Sequence, residues 1–256
     1  MITLLSPTKG LNFHDKIDLD LQYTEPMYFN EVQELILELE KYEISDLMKL
    51  MNISETLAIL NFTRFQDFDV NLKNHRKAAL FSYEGEAYKA MDPYSLNKDA
   101  IEFSQSHLRI LSGLYGILRP LDLIKEYRLE MLIKLPNSRG KNLYEYWGES
   151  IKDELVKEIA ISNEKVLINL ASDEYSKAAR VKDISKEFRV VTPVFKELKG
   201  GVYKVITVYA KRARGLMTRF IMENKIDKVE DLKKFSLEDY EYNELLSIAD
   251  TWVFTR

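Results

Sequence analysis

No cysteine occurs among the 256 residues, and histidine appears only three times. The missing thiols exclude disulfides, thiolate nucleophiles, iron–sulfur ligation and zinc sites built on sulfur, and they fit a reducing compartment. His14, His75 and His107 are dispersed without the H-x-x-x-H spacing of a metal site, which points to surface or core roles for all three. Nine glycines and six prolines are few, so loops should be short. No low-complexity stretch or internal repeat divides the chain, and 46% hydrophobic content can bury one sizeable core, so residues 1–256 read as a single domain. The longest early apolar run, Ile2 to Leu5, is too short for a secretion signal, and nothing approaches the ~20 apolar residues of a membrane span. The expectation is a cytoplasmic monomer with no membrane contact. The P-loop, the G-x-S-x-G elbow and the G-x-G-x-x-G dinucleotide fingerprint are also absent. No cofactor is expected, and no metal.

The net charge of −4 argues against a globally basic nucleic-acid binder, yet the charge is uneven. Seven Lys/Arg face three Asp/Glu between positions 105 and 141, and thirteen face four between 176 and 225. If those segments meet in space, they form a positive recess on an acidic body.

Hydrophobic periodicity predicts an α/β (α+β) fold, a mixed sheet flanked by helices. Ile2–Leu5 and Val166–Leu170 read as buried strands, and Ala78–Tyr83 as another. Asn30–Met51, Ala100–Leu111 and Leu143–Ile161 read as helices, with Gly113 as a C-cap. Arg128–Ile133 alternates like a strand and sets Arg128 beside Glu130 on one face. Pro193 implies an edge or interrupted strand, and Gly200-Gly201 a hairpin. The stretch from Val202 to Asn224 is a strand feeding an amphipathic helix. On that helix Lys211, Arg212, Gly215 and Arg219 share a cationic face, with Arg214 close by. Without a Cβ at Gly215, a phosphate or another backbone can approach closely.

Three places could carry chemistry. The run from Ser104 to Ile124 reads as helix, glycine-bounded turn, helix, a geometry that can aim N–H groups of Gly113–Gly116 at a phosphate between Arg109 and Arg119. The bland alternative is a packing motif whose glycines only supply turn geometry. The junction Asn169-Leu170-Ala171-Ser172-Asp173-Glu174-Tyr175 puts polar groups at a strand's carboxyl end, where open sheets hold ligands. Asp173 and Glu174 are candidates for a general base, although Ser172-Asp173-Glu174 also reads as an ordinary helix start with Ser172 as N-cap. Lys9 follows the first strand. Tyr115, Tyr127 and Tyr209 lie beside cationic residues and could stack on a base.

Taken together, Ser6-Pro7-Thr8-Lys9, the run Ser112 to Asp122, Tyr127-Arg128-Leu129-Glu130-Met131, Asn169 to Tyr175 and Tyr209-Ala210-Lys211-Arg212-Ala213-Arg214-Gly215 closely resemble the bacterial YaaA peroxide-stress family, in order and over almost the whole length. The resemblance implies a cytoplasmic protein of the hydrogen-peroxide response that limits free iron and so protects DNA from Fenton chemistry. It further implies binding of duplex or branched DNA through a positive cleft and a helix-hairpin-helix element, which would fall at Gly113–Gly116. The turn here carries G-x-x-G where such elements usually carry G-x-G.

Two functions therefore stand open. One is sequence-tolerant DNA binding, with Arg109, Gly113, Gly116, Arg119, Lys211, Arg212, Arg214, Gly215 and Arg219 at the phosphates. The other is an enzyme acting on a nucleotide- or nucleobase-like small anion, with Lys9, Arg128, Glu130, Asn169, Ser172, Asp173 and Glu174 at one pocket. Convergence of Lys9, Arg128, Glu130 and Asp173 in an enclosed pocket would favour the second, and an open groove the first. A direct iron site is disfavoured, because only carboxylate oxygens remain as ligands.

Overall fold

The computed structural model describes residues 1–69 and 75–256. Its centre is a mainly parallel sheet of β1 (Ile2–Leu5), β2 (Leu108–Ser112), β3 (Gly116–Leu118), β4 (Val166–Leu170), β5 (Arg189–Lys199), β6 (Val202–Lys204), β7 (Glu241–Tyr242) and β8 (Thr251–Thr255). The spatial order is β7-β8-β5-β4-β1-β2-β3, with β6 hairpinned onto β5. Short apolar runs such as Ile2–Leu5 and Val166–Leu170 suit the middle of such a sheet, because parallel strands are covered on both faces. All residues of both strands are buried. β1 runs parallel to both neighbours, Thr3 opposite Leu108 and Leu5 opposite Leu170. The chain leaves β1 toward β2 and later returns to β4 on the other side, so strand order switches at β1.

Around the sheet stand α1 (Phe29–Leu39), α2 (Ile44–Met51), α3 (Glu55–Gln66), α4 (Glu86–Met91), α5 (Lys98–His107), α6 (Leu143–Trp147), α7 (Ser150–Ile161), α8 (Asp173–Ala178) and α9 (Thr207–Glu223). No helix among the described residues is long and apolar enough to cross a membrane.

Several expectations change. The segment around Gly113 is a β-hairpin, not a helix pair: α5 stops at His107, and β2 pairs antiparallel with β3, Ser112 opposite Gly116. The run Leu108–Leu111 is wholly buried, and the parallel ladder offered by β1 outweighs its helical periodicity. Ala78–Tyr83 is not one strand; a single helical turn, Ala79–Ser82, divides two short pairings. Arg128–Ile133 is no strand: it joins no ladder among the described residues, and Met131-Leu132 form a turn in which Ile133 N–H donates to the Glu130 carbonyl at 3.0 Å. The helix expected over Leu143–Ile161 breaks at Gly148, whose φ is +49°. Pro193 sits inside an unbroken β5: Thr192 N–H donates to Asp250 on the β8 side, so Pro193 turns its missing donor to the side where the β4 ladder has already ended at Val191.

The tightest contact joins α9 to α4. A Cβ on Gly215 would lie 1.9 Å from the Ala87 carbonyl oxygen, so only glycine lets the two backbones meet. Gly215→Ala should destabilise by about 3 kcal/mol or more, lowering the melting temperature by roughly 6–12 °C in differential scanning calorimetry. A shift below a degree would show that this contact is not a packing constraint.

Candidate functional site

A cavity of about 450 Å³ opens where the carboxyl ends of β1 and β4 meet, at Leu5 and Leu170. This is the crevice that a switch in strand order creates in an open parallel sheet. Its rim is the Ser6–Gly10 loop. Its walls come from Glu84–Ala87, the Tyr127–Glu130 segment, the start of α8 and the side chains of Lys211 and Arg214 on α9. Ser6 and Ser172 close the base: Ser172 N–H donates to Ser6 Oγ at 2.9 Å, and the hydroxyls lie 3.3 Å apart. Ser172 holds the N-cap position of α8, but its hydroxyl makes no capping bond.

Of the residues expected at a pocket, Lys9, Arg128, Glu130, Ser172 and Glu174 line this cavity. Lys9 Nζ is 2.9 Å from Glu130 and Arg128 Nη2 is 3.2 Å from the same Oε1, so one carboxylate is clamped between two cations. Asn169 stays beneath, its Oδ1 accepting from Ala171 N–H and from the Ser176 hydroxyl, which shapes the β4–α8 turn. Asp173 is exposed and outside the lining, and it reaches the site only as a charge acting on Arg214. Glu174 is half-buried and accepts from Leu132 N–H at 3.1 Å. Burial pushes its carboxyl above the ordinary glutamate range, as does the charge of Glu130, and the backbone donor and Lys9 only partly offset this.

Most of the cationic set expected at a DNA phosphate backbone is committed elsewhere. Arg109 is buried, with Nε at 2.8 Å from Glu158 and Nη1 on two backbone carbonyls. Arg119 pairs with the buried Asp122 at 2.9 Å and donates to the Glu25 carbonyl. Arg212 Nε lies 2.8 Å from Glu238, and Arg219 is spent on the Met91 and Asp92 carbonyls, Ser95 and Glu223. Gly113 and Gly116 are packing sites. A Cβ on Gly113 would strike the Leu129 carbonyl at 2.1 Å, and Gly116, at φ +69°, faces the Trp147 ring. Gly215 meets Ala87 rather than solvent. Only Lys211 and Arg214 of that set line the cavity, and neither has an ion pair among the described residues. The Arg214 guanidinium is largely desolvated, which lowers its pKa, while Asp173 raises it.

The two basic segments do meet, through Arg128 on one side and Lys211 and Arg214 on the other. The recess is nevertheless mixed in charge, since Glu84, Glu86, Glu130 and Glu174 line it as well. Sequence reasoning missed the Glu84–Ala87 wall and Tyr175. Gly85-Glu86 looks like any loop, and Tyr175 like the buried face of a short helix. Of the candidate stacking residues, Tyr127 lines the cavity, its hydroxyl bonded to Ser112 at 2.6 Å and Tyr83 at 2.7 Å. Burial pushes Tyr127 up to about 12, so it stays a phenol. Tyr115 is buried away from the cavity, and Tyr209 sits exposed under Arg256. No group of three or more His, Asp or Glu side chains among the described residues is placed to hold a metal.

Comparison with known proteins places this geometry in a family. A family model described as peroxide stress protein YaaA matches residues 1–246. Curated relatives described as UPF0246 proteins align over all of this chain. That of Clostridium perfringens strain SM101 is 50% identical with 100% of its own length covered. That of Clostridium beijerinckii is 46% identical with 98% covered, and that of Hahella chejuensis 42% identical with 99% covered.

Two outcomes follow from the pairing pattern. Arg109→Met leaves the largely covered Glu158 uncompensated, and should cost about 3 kcal/mol in chemical denaturation, most of it recovered by adding Glu158→Leu; no loss in the single variant would contradict a structural role. For Glu174 the folded state disfavours the ionised form, so stability is fullest where the carboxyl is protonated and declines as pH rises through its raised pKa. Glu174→Gln should therefore melt about 1–3 °C higher than the parent at pH 7.5 and lose that advantage near pH 4. A pH-independent difference would contradict the desolvation account.

Proposed function

The chain belongs to the YaaA peroxide stress protein family, and from that premise we propose that it works through the cavity at β1 and β4, binding a small anionic ligand of mononucleotide size. The observation that supports this is the contrast between α9's two kinds of cation. Arg212 and Arg219 are held by carboxylates and carbonyls, whereas Lys211 and Arg214 face the cavity without ion pairs among the described residues. An ionised guanidinium withdrawn from water and left unpaired is costly unless an anion completes it. A volume near 450 Å³ lies in the range of small-ligand sites, and the lining mixes tyrosine and aliphatic carbon with a few converging charges.

Sequence-tolerant DNA binding is the competing reading. It needs a row of free cations along an open face, and Arg109, Arg119, Arg212 and Arg219 are not free. Protection from iron-driven damage would then follow from what the protein does with its small ligand.

A thermal-shift screen with inorganic phosphate, ribose 5-phosphate and the ribonucleoside 5′-monophosphates should raise the melting temperature for at least one phosphorylated probe. Arg214→Gln should remove that shift, costing at least tenfold in affinity, while Arg212→Gln should not. The same preparation titrated with duplex and junction DNA across a salt series gives the opposing outcome. If no small probe shifts the protein, and Arg212→Ala and Arg219→Ala each flatten the salt slope by about one unit, the pocket reading is wrong and DNA binding is right.

A further inference from the structure

We propose that the cavity is catalytic and cleaves the bond joining a sugar phosphate to a nitrogen heterocycle, with Glu174 giving the proton to the departing ring nitrogen. This rests on the small-ligand reading above and names its substrate class.

No imidazole or thiol lines the cavity, and its two serine hydroxyls are turned on each other at 3.3 Å with no base beside them, so an activated side-chain nucleophile is missing. Of the four glutamates that line it, Glu130 and Glu174 sit in opposite environments. Glu130 is clamped between Lys9 and Arg128. Glu174, on the first turn of α8, is half-buried, with no cation in direct contact among the described residues. The groups acting on it are Glu130 and Lys9 by charge and the backbone N–H groups of Met131 and Leu132; its own charge acts on the phenols of Tyr144 and Tyr175, whose pKa values burial raises further. A half-buried carboxyl beside one paired with two cations is an arrangement that can supply an acid. Reactions whose barrier lies in leaving-group departure need such an acid, and need no covalent nucleophile.

The substrate class follows from the other walls. Lys211 and Arg214 stand unpaired where a phosphate can dock, and Tyr127 and Tyr175 supply aromatic surface for a planar ring. In the reaction, the C1′–N bond breaks with its electron pair on the ring nitrogen. That nitrogen takes the Glu174 proton and leaves as the neutral base. The oxygen of a water molecule bonds to C1′, and the proton this water sheds returns to the Glu174 carboxylate. The products are a free heterocycle and a sugar 5-phosphate, so atoms and charge balance with water as the only co-reactant.

The test incubates the full-length protein with AMP, GMP, IMP, CMP, UMP and their 2′-deoxy counterparts, follows free base by chromatography, and measures binding of each by calorimetry. At least one should release base and sugar phosphate in equal amounts. Glu174→Gln should lower kcat by roughly 10²–10⁴-fold with KM little changed, and should abolish the fall in rate on the alkaline side of the pH profile. Glu174→Asp should restore part of the rate, and Arg214→Gln should act mainly on KM. Binding without base release from any probe overturns the catalytic assignment and leaves the pocket reading standing. Base release that Glu174→Gln does not impair overturns the role of Glu174. Neither binding nor release overturns both readings.

Discussion

The arrangement of the site depends on the contact between the Gly215 backbone and the carbonyl of Ala87. α9 carries the two unpaired cations, and α4 begins at the Glu84–Ala87 wall. Because no Cβ intervenes, the helices approach to backbone distance and deliver Arg214 and a second wall to the same opening. A similar close approach seats the opposite wall. The Gly113 turn of the β2–β3 hairpin admits the Leu129 carbonyl, which holds the Arg128–Glu130 segment against the end of the sheet. The cavity thus forms between rigid elements, the kind of support that a site sensitive to small displacements requires.

Charge pairing divides the basic residues by role. An arginine whose guanidinium is closed by a carboxylate at 2.8 Å, as Arg109 and Arg212 are, has little positive potential left to offer a ligand. These pairs tie distant parts of the chain together. Arg109 fastens β2 to α7, and Arg212 joins α9 to the Glu238 turn, where Arg256 at the end of the β8 segment also docks. Of the cations named as phosphate candidates, the two without an ion pair among the described residues, Lys211 and Arg214, both line the cavity. That placement separates a pocket for one phosphate from a track for many.

What could be read in the sequence follows from the same physics. The core strands β1 and β4 were legible as short apolar runs, and the residues just beyond them, Lys9, Ser172 and Glu174, stood out as polar groups at strand ends. The arginine pairings were not legible, because their partners lie far along the chain: 49 residues for Arg109 and Glu158, 26 for Arg212 and Glu238, and 128 for Arg219 and Met91. Helical periodicity shows that Arg212, Gly215 and Arg219 share a face, but not that α4 covers it. The Leu108–Leu118 run misled for a different reason. Its apolar residues satisfy a helix and a buried hairpin equally, and the vacancy beside β1 decides the outcome.

The absence of cysteine takes on a second meaning in a peroxide stress protein. Thiolates and, more slowly, thioethers are the side chains that hydrogen peroxide converts first, and a working site built on them loses function under the conditions that call for it. Here neither Cys, Met nor His lines the cavity. Its polar groups are carboxylates, hydroxyls, an ammonium pair and guanidinium groups, and Met131, close behind Glu130, is fully buried. Acid–base chemistry on a carboxyl, the kind proposed for Glu174, keeps its proton inventory under peroxide when sulfur chemistry would be consumed. With no soft ligand and no imidazole in the lining, an anion bound as proposed would be held by electrostatic attraction and hydrogen bonding from cations such as Arg214 and Lys211.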